Sequence, residues 1–323
     1  MSEALSDKFD RTDFIDVAQA PIPEGGGVHY FNTVDGAKLR MAAFGLPNQA
    51  DARGTVLLLT GRSEFIEKYG EVVRELQDRG FNVAIMDWRG QGLSSRMLPE
   101  AEKGHIKTFG TYTADLKLFM AEFVEPQFAG PYFILSHSMG GLPVLSWLAD
   151  GTDKFTGAVL CAPMTRLPYG PVKGRVIRSM AKIGAKIGMS KRSIIGVKEH
   201  SMKFEGNKLT TDKTRHRSFQ SLLEAAPNAA VHAPTYGWLD AAYTAMSLLN
   251  KPKALDNINC PVLILGAGND ETVDASHAQK LAERQANISY QVIAGAKHEI
   301  LMEQDNFRQA LWQAFDRFMA PLA

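Results

Sequence analysis

The sequence predicts an α/β fold in which a mostly parallel central sheet is covered by helices on both faces and carries a helical cap insertion. Short β-branched runs alternate with longer helical patterns, which is the rhythm of βαβ units. The runs are almost continuously apolar, as expected for strands that are buried on both faces. With 323 residues, 45% of them hydrophobic, the chain is long enough to bury a sizeable core.

The elements follow in chain order. An antiparallel hairpin is predicted over residues 28–44, because a turn signal at Asp35 and Gly36 separates two strand-like segments. The later strands are expected at residues 55–60, 82–87, 132–137, 157–162 and 261–266, and a final strand is expected to end near residue 294. The helices are expected at residues 66–79, 110–125, 139–150, 276–286 and 304–319.

The alternation of strands and helices is interrupted between Pro163 and Asn250, where the sequence is basic and helical. An insertion of this kind between two strands predicts a cap over the strand ends, where open α/β sheets bind ligands. The chain is therefore divided into a core at residues 28–162, a helical cap at 163–250 and a second part of the core at 251–323.

Ser138 lies at the predicted turn between the strand that ends at His137 and the helix that begins at Met139. The surrounding residues, SHSMGG, fit the small-x-Ser-x-Gly pattern of a nucleophile elbow, in which a strained turn lifts the serine hydroxyl above the sheet. A serine that only caps the following helix is the structural alternative. The strand before Ser138 and the helix after it favour the nucleophile.

A serine hydroxyl is a weak nucleophile at neutral pH and needs a base that is itself oriented by an acid. In this fold both partners follow the serine, the acid first. Asp270 comes shortly after the strand at 261–266, and His298 follows the last strand. Because all three residues come from strand ends, one sheet edge can collect them. We predict Ser138 as nucleophile, Asp270 as acid and His298 as base.

Several other residues compete for these roles. Glu271 and Asp274 are alternative acids, but Asp270 comes first after the strand. His277 is expected on the surface of the next helix, and His137, which points opposite to Ser138 along the strand, is expected in the core or behind the site. The remaining histidines precede the acid and are expected to be ordinary polar residues: His29, His105, His200, His216 and His232.

Ester chemistry also needs donors for the oxyanion that develops on the carbonyl oxygen. We expect these donors to be the backbone N–H of Met139, next to the serine, and that of Arg62, in the loop after the strand at 55–60. The Arg62 side chain is expected to pair with Glu64, with a substrate phosphate or solvent as alternatives. Asp87 and Arg89 are expected to brace the loops around the site. Serine, base and donors suffice, so no metal or organic cofactor is implied.

Charge and cysteine content indicate which partners and which cellular compartment to expect. The formal net charge is +1, from 36 basic and 35 acidic residues, which gives no reason to expect a nucleic-acid partner. Cys161 and Cys260 lie in apolar strand-like segments and are expected to be buried thiols in a reducing compartment. The polar N-terminal residues lack a secretory pattern, and no apolar run is long enough to span a membrane. A cytoplasmic protein is expected, with peripheral contact at the inner membrane as an open alternative.

The first part of the cap is strongly cationic. A helix predicted over residues 171–188 would align an apolar stripe at Val172, Val176, Met180, Ile183 and Ile187. Two interpretations are open. In the first, the helix contacts anionic lipid through this stripe. In the second, it packs the stripe onto the catalytic core, and this second interpretation is favoured. The segment from Tyr169 to Phe204 has a single acid, Glu199, and its basic residues are Lys173, Arg175, Arg178, Lys182, Lys186, Lys191, Arg192, Lys198 and Lys203.

Several blocks of the sequence resemble one family. The blocks GRSEFIEKYGEVVRELQDRGFNVAIMDWRGQGLSSR, GHIKTFGTYTADL, SHSMGG, APTYGWLDA and GAKHEILMEQD are similar to the bacterial lysophospholipase L2 group, within the monoacylglycerol lipase-like and serine aminopeptidase-like α/β-hydrolases. The resemblance runs from about Val56 to Phe318 and implies an α/β-hydrolase fold. It matches Ser138, Asp270 and His298 to the family's catalytic residues, and Arg62 and Met139 to its oxyanion positions.

The expected activity is hydrolysis of carboxylic esters of lipids, of the lysophospholipid or monoacylglycerol type, through an acyl-enzyme intermediate. A general carboxylesterase, a thioesterase or an aminopeptidase of the same fold is an alternative within enzymes. A ligand receptor built on an inactive hydrolase is the alternative outside them. That alternative predicts the loss of a catalytic residue, and the sequence retains all three.

Overall fold

The computed structural model describes residues 13–194 and 203–323, and its centre is an eight-stranded sheet. The strands are β1 (Gly26–Asn32), β2 (Lys38–Phe44), β3 (Thr55–Leu59), β4 (Asn82–Met86), β5 (Tyr132–His137), β6 (Gly157–Cys161), β7 (Val262–Ala267) and β8 (Ile288–Ile293). Their order in the sheet is β1-β2-β4-β3-β5-β6-β7-β8. β2 runs antiparallel to β1 and β4, and all other neighbours are parallel.

The central strands are covered on both faces. Every residue of β3, β4, β6 and β7 is buried, which explains why these segments read as continuous apolar runs rather than as alternating ones. Parallel neighbours require crossover connections, and helices supply them. The predicted α/β architecture, with its mostly parallel sheet, is confirmed.

The helices lie close to their predicted positions. The principal ones are α1 (Gly70–Gln77), α2 (Phe109–Leu118), α3 (Gly141–Ala149), α4 (Pro171–Gly184), α5 (Lys213–Ala225), α6 (Tyr236–Leu249), α7 (Ala275–Ala282) and α8 (Asp305–Met319). A 3-10 turn at Ile66–Tyr69 leads into α1, and a π-helical segment at Phe119–Val124 extends α2. α8 buries Leu311, Phe315 and Met319 at helical spacing, which is the pattern that predicted it.

The predicted hairpin is present as β1 and β2. Val28 pairs with Ala42, and Asn32 pairs with Lys38 next to the turn. Gly36 has φ 83°, a left-handed conformation that glycine adopts without steric cost.

Between β6 and β7 the chain forms α4, α5 and α6. α6 packs against α2 and α3 of the core, and α4 packs on α6. The contact between α4 and α6 is close, because a Cβ at Gly184 would lie 2.5 Å from the Tyr236 ring. Small residues such as Gly184 and Ala181 therefore form the buried face of α4.

The expectation that the apolar stripe of α4 packs onto the core was wrong. Its members are 48% to 72% exposed: Val172, Val176, Met180, Ile183 and Ile187. The reason is the glycine and alanine face, which lets the α4 backbone approach α6 and leaves the larger apolar side chains on the outside. The α-helical part ends at Gly184, and a π-helical segment at Ala185–Met189 follows it, in which Ile187 and Gly188 depart from helical backbone angles.

Some sequence predictions fall on residues that the structure does not describe. Lys198, Glu199 and His200 lie between the two described ranges. Among the helices of residues 13–194 and 203–323, none is both long enough and apolar enough to cross a bilayer.

Candidate active site

Ser138 sits on a strained turn between β5 and α3. Its φ is 50°, a left-handed conformation that costs a non-glycine residue on the order of 1–3 kcal/mol. The two glycines that follow allow the turn to pack closely on its neighbours. A Cβ at Gly140 would lie 2.6 Å from the carbonyl oxygen of Thr60, and one at Gly141 would lie 2.7 Å from Cβ of Pro163. The expected strand-turn-helix arrangement is therefore present around the serine.

The three side chains singled out in the sequence form one hydrogen-bonded chain. Nε2 of His298 lies 2.8 Å from Oγ of Ser138, and Nδ1 of His298 lies 2.8 Å from Oδ2 of Asp270. Asp270 follows β7 and His298 follows β8, so the carboxyl ends of parallel strands bring them to the sheet edge where Ser138 lies. His298 is 3% exposed and Ser138 is 8% exposed, so the chain is largely shielded from water.

The environment of Asp270 keeps this carboxylate ionised. Its Oδ1 accepts hydrogen bonds from the backbone N–H groups of Thr272, at 2.7 Å, and Val273, at 3.0 Å. Burial raises the pKa of Asp270, but the hydrogen bond from His298 and those backbone donors outweigh it, so the pKa lies below its ordinary value. An ionised carboxylate accepts a hydrogen bond from the Nδ1–H group of His298. Nε2 is then unprotonated and can accept the proton of Ser138.

Arg62 and Met139 are the residues predicted to supply the two oxyanion donors. Both line the same cavity as Ser138, and Met139 is the next residue in the chain. The backbone N–H groups on either side of Arg62 are held by side chains. That of Gly61 donates to Glu64, and that of Ser63 donates to Oε1 of Gln91 at 2.5 Å. These two bonds fix the loop that carries the Arg62 N–H.

The expected pair between Arg62 and Glu64 is wrong. The Arg62 guanidinium donates from Nη2 to the carbonyl oxygen of His232, and it lies over the Trp238 ring at 5.3 Å from the ring centroid. Glu64 instead accepts from Nζ of Lys68 at 2.8 Å, among other donors. Burial without a carboxylate partner lowers the pKa of Arg62 to about 10.

A buried ionic network lies behind the serine. Lys68 bridges Glu64 and Glu299, with its Nζ 2.8 Å and 2.7 Å from their carboxylate oxygens. Tyr69 also donates to Glu64, at 2.6 Å. The Glu64 and Lys68 spacing of four residues is a visible signal of such a pair, whereas Glu299 is too distant in sequence to be assigned a partner. Sequence reasoning missed this network.

His137 joins the network to the base. Its Nδ1 lies 3.1 Å from a Glu64 oxygen, and its Nε2 lies 3.2 Å from the carbonyl oxygen of His298. Both partners are acceptors when Glu64 is ionised, an arrangement that stabilises the imidazolium form, which donates from both nitrogens. Burial lowers the pKa of His137, but the Glu64 carboxylate outweighs it, and the pKa lies above its ordinary value. The prediction that His137 lies behind the site is in line with this position.

His277 corrects a second expectation. It is 7% exposed rather than on the surface, with Nδ1 3.0 Å from Oγ1 of Thr165 and Nε2 2.6 Å from Oδ1 of Asn250. Burial lowers the pKa of His277 to about 4, so the ring is neutral at physiological pH. It fastens α7 to both ends of the insertion between β6 and β7.

Asp87 and Arg89 hold loops near the site, as expected. Oδ1 of Asp87 accepts from the backbone N–H of Ile66 at 2.9 Å, and its Oδ2 accepts from that of Leu93 at 2.8 Å. Arg89 pairs with Asp115 at 2.7 Å, which anchors the loop after β4 to α2. Both cysteines are buried and unpaired, also as expected.

A cavity of about 610 Å³ opens at the serine. Ser138, His298 and Met139 are among its lining residues. Most of the remaining wall is apolar and comes from the segment between β6 and β7: Met164, Leu167, Pro168, Tyr169, Ile177, Met180, Ala181, Ile194, Tyr236, Trp238 and Leu239. An apolar cavity with a few convergent polar groups is the usual form of a small-molecule site.

Known proteins are similar to this chain over most of its length. The probable lysophospholipase L2 of Haemophilus influenzae is 29% identical over 277 residues, which cover 84% of this chain and 85% of that protein. The lysophospholipase L2 of Escherichia coli K12 is 30% identical over 290 residues, which cover 82% and 81% of the two chains.

Solved structures show the same fold. A soluble variant of the monoglyceride lipase of Saccharomyces cerevisiae, in complex with a substrate analog, superposes with a TM-score of 0.73 at 19% identity, over 97% of this chain and 100% of that one. The monoacylglycerol lipase of Paleococcus ferrophilus superposes with a TM-score of 0.68 at 21% identity, over 88% and 99%. At such identities the likeness shows a shared α/β-hydrolase fold.

The family described as "Serine aminopeptidase, S33" matches residues 50–305. The match includes Ser138, Asp270 and His298 together with the whole segment between β6 and β7. This chain therefore belongs to the serine aminopeptidase S33 family of α/β-hydrolases.

Proposed function

We propose that this chain is a serine hydrolase that cleaves carboxylic esters of lipids, of the lysophospholipid or monoacylglycerol type, through an acyl-enzyme. The observation that carries the proposal is the Ser138–His298–Asp270 chain, with two hydrogen bonds of 2.8 Å, at the wall of a largely apolar cavity. The relatives named lysophospholipase L2 support the lipid substrate.

The first half of the reaction transfers the acyl group to the enzyme. His298 Nε2 takes the proton of Ser138, whose Oγ forms a bond to the ester carbonyl carbon. The backbone N–H groups of Arg62 and Met139 stabilise the oxyanion, and Asp270 stabilises the imidazolium. His298 then donates its proton to the leaving alcohol as the ester C–O bond breaks.

The second half releases the acid. A water molecule gives a proton to His298 Nε2 while its oxygen bonds to the acyl carbon, and the bond to Ser138 Oγ breaks. The proton returns from His298 to Ser138, which restores the starting state. Every proton in the cycle moves between Ser138, His298, the water molecule and the leaving alcohol. Asp270 and the two backbone donors stabilise charge without transferring a proton.

We also propose that residues 163–250 act as a cap over the reacting serine, inserted into a core of residues 28–162 and 251–323. The support is the origin of the cavity wall, in which Ile177 comes from α4 and Trp238 comes from α6. An apolar roof of this kind suits an acyl chain.

A substrate panel tests the proposed activity. Esters with matched octanoyl chains, as a lysophospholipid and as a monoacylglycerol, are compared with p-nitrophenyl butyrate and an amino-acid p-nitroanilide. We expect higher kcat/KM for one or both lipids than for the short ester and the anilide. Hydrolysis restricted to the short ester would remove the lipid substrate, and hydrolysis restricted to the anilide would favour an aminopeptidase.

The exposed side of α4 supports a contact with anionic membranes. The apolar stripe of α4 lies beside exposed cations, including Arg175, Lys182 and Lys186. A helix with exposed apolar residues flanked by lysine and arginine is typical of interfacial binding, and each such cation adds about 1 kcal/mol near an anionic surface. We propose that α4 holds the cap at a lipid surface, where the substrate is found.

Co-sedimentation with phosphatidylglycerol vesicles tests this contact. We expect the wild-type protein to pellet, and we expect pelleting to fall in the charge-reversed variant R175E/K182E/K186E. The matched control reverses three exposed lysines outside the insertion, K251E/K253E/K280E, and is expected to pellet like the wild type. Equal pelleting of all three proteins would contradict a contact through α4.

The proposed site of action is the cytoplasm, at the surface of the inner membrane. Two buried, unpaired thiols are in keeping with a reducing compartment. Fractionation of cells that produce the tagged protein tests this location. Recovery from the periplasm would contradict it.

A further inference from the structure

Arg62 has an unusual environment for a cation. Its Nη2 donates to the carbonyl oxygen of His232, whereas its Nε is buried without a hydrogen-bond partner in the described part of the chain. Three other buried cations are paired with carboxylates, Arg40 with Glu67, Lys68 with Glu64 and Arg308 with Glu75, whereas Arg96, which lies away from the cavity, donates to carbonyl oxygens as Arg62 does. Removing a cation from water is costly when nothing compensates its charge, so an uncompensated cation at the wall of a cavity is a candidate to bind an anion there.

The position of Arg62 determines which anion could reach it. Its backbone lies at the proposed oxyanion position, and Arg62 lines the cavity that contains Ser138, as do His232 and Trp238, the two residues that its guanidinium contacts. The guanidinium plane is held by the Trp238 ring. A group bound by this guanidinium would therefore belong to the same molecule whose ester carbonyl faces Ser138.

The charges around the cavity leave a positive excess. Glu64 and Glu299 line it, but Lys68 binds both carboxylates and Glu64 also contacts Nδ1 of His137. The remaining acid in the wall, Glu271, pairs with Lys208 at 2.7 Å. Two further cations of the described wall are then left to act on a substrate, and they are Arg62 and Lys173.

Resting on the proposed function, we infer that the Arg62 guanidinium binds the phosphate of the substrate, so that the cavity accepts lysophospholipids in preference to neutral monoacylglycerols. In a lysophospholipid only the glycerol unit separates the acyl ester from the phosphate. A guanidinium offers paired N–H donors that match two phosphate oxygens, and such charge-assisted bonds are stronger than neutral ones. Lys173, also at the cavity wall, adds a second positive charge to the cavity.

A ratio of two activities tests this subsite. The variant R62Q keeps the backbone N–H but removes the charge. We expect its ratio of kcat/KM on octanoyl lysophosphatidylcholine to kcat/KM on monooctanoylglycerol to fall by about 10-fold to 100-fold, which is the usual weight of a hydrogen bond to a charged group. Both substrates are used as monomers, so that binding to aggregates does not enter the ratio.

Arg96 provides a matched control. Like Arg62, it is a partly buried arginine that donates to carbonyl oxygens of the insertion, those of Asn228 and Ala230, and burial lowers its pKa. It does not belong to the cavity wall around Ser138. We expect R96Q to leave the ratio unchanged. An equal fall in R96Q, or an unchanged ratio in R62Q, would overturn the inference.

A second measurement uses only the wild-type protein, so it does not depend on the folding of a variant. sn-Glycero-3-phosphocholine and inorganic phosphate are added during hydrolysis of p-nitrophenyl butyrate, with glycerol as the uncharged control. We expect competitive inhibition by the phosphodiester at concentrations where glycerol has none. Inhibition by inorganic phosphate alone would indicate a site for the free anion and would contradict a headgroup subsite, and equal inhibition by glycerol and the phosphodiester would also contradict it.

The proposed function and this inference fail in different ways. If the wild-type protein hydrolyses neither lipid, the proposed lipid esterase activity is wrong, whatever Arg62 binds. If it hydrolyses both lipids and R62Q keeps the wild-type ratio, the activity stands and the phosphate subsite is wrong.

Discussion

At the scale of single residues, the site is organised by the two hydrogen bonds of the His298 ring. Nδ1 faces a carboxylate and must donate, so Nε2 is left as the acceptor for the Ser138 hydroxyl. The orientation of the ring is held from the other side as well, because its backbone carbonyl accepts from His137. The reactivity proposed for Ser138 therefore depends on residues that never touch the substrate.

The substitution D270N tests the role of the carboxylate. An amide presents no charge to the imidazolium and can stabilise the wrong tautomer, so we expect kcat on p-nitrophenyl butyrate to fall by about 10⁴-fold. The control is D274N, which alters the nearby acid that caps α7 and is expected to keep most of the activity. A comparable loss in both variants would contradict the assignment of Asp270.

The raised pKa of His137 predicts a pH dependence of stability. Its pKa in the folded protein lies above the ordinary value of 6.5, so its contribution is fully present below about pH 6.5 and is lost as the pH rises through the raised pKa. We expect the difference in free energy of unfolding between the wild type and H137N to shrink as the pH rises above 6.5. Urea denaturation at a series of pH values measures it. A difference that stays constant or grows would show that the ring is neutral.

At the scale of elements, the turn between β5 and α3 is the most constrained part of the site. It combines left-handed backbone at Ser138 with a glycine whose missing side chain allows contact with the loop after β3. The same contact sets the distance between Met139 and Arg62, the two proposed oxyanion donors. The strain at the serine is therefore coupled to the geometry that would bind the oxyanion.

The substitution G140A tests this coupling. The added Cβ would lie 2.6 Å from the Thr60 carbonyl oxygen, and backbone atoms would have to move to accept it. We expect a loss of about 1–3 kcal/mol in the free energy of unfolding and a fall in kcat of about 10²-fold. Thermal unfolding and hydrolysis of p-nitrophenyl butyrate measure the two effects.

The control for that variant is G170A at the start of α4, where an added Cβ meets nothing within 4 Å. It is expected to leave both stability and kcat close to those of the wild type. Wild-type kcat in G140A would mean that the turn tolerates displacement and that the proposed donors do not require this contact.

At the scale of the whole molecule, a buried ionic cluster ties the hairpin to the loops around the site. Arg40 of β2 pairs with Glu67, which lies before α1. It also pairs with Asp87, which follows β4, with Nη1 of Arg40 3.2 Å from Oδ2 of Asp87. All three residues are buried. Burial raises the pKa of Asp87 to about 6, against the opposing effect of Arg40. The antiparallel edge of the sheet is thus connected to the loops that position the proposed oxyanion donors.

The substitution R40M would leave two buried carboxylates without their counter-charge. We expect it to lower the free energy of unfolding by about 3–5 kcal/mol. The exposed pair of Lys117 and Asp150 is the control, and K117M is expected to cost about 1 kcal/mol or less. Urea denaturation compares the two variants, and similar losses in both would contradict a structural role for the cluster.

The sequence predicts the sheet well because each central strand contains an almost continuous apolar run, a signal that needs no knowledge of its neighbours. The same holds for Ser138, Asp270 and His298, which are found by their positions after strands. Contacts between distant segments carry no such signal. The pair of Lys68 and Glu299 depends on the chain returning after β8, and the burial of His277 depends on partners from the insertion.

The α4 helix shows a second limit of sequence reasoning. Helical periodicity identified which apolar residues share a face, and the spacing was right. Periodicity does not say whether that face is covered, and the covered face of α4 is the one with Ala181 and Gly184. Close packing through these small residues determines which face of α4 is buried. That packing depends on Tyr236 in α6, which lies more than fifty residues later in the chain.

A fluorophosphonate probe followed by peptide mass spectrometry measures whether Ser138 is an activated nucleophile. We expect stoichiometric labelling of the folded protein on Ser138, with labelling abolished in S138A and strongly slowed in H298N. Absence of labelling in the folded wild-type protein, or labelling of another residue that persists in S138A, would contradict it.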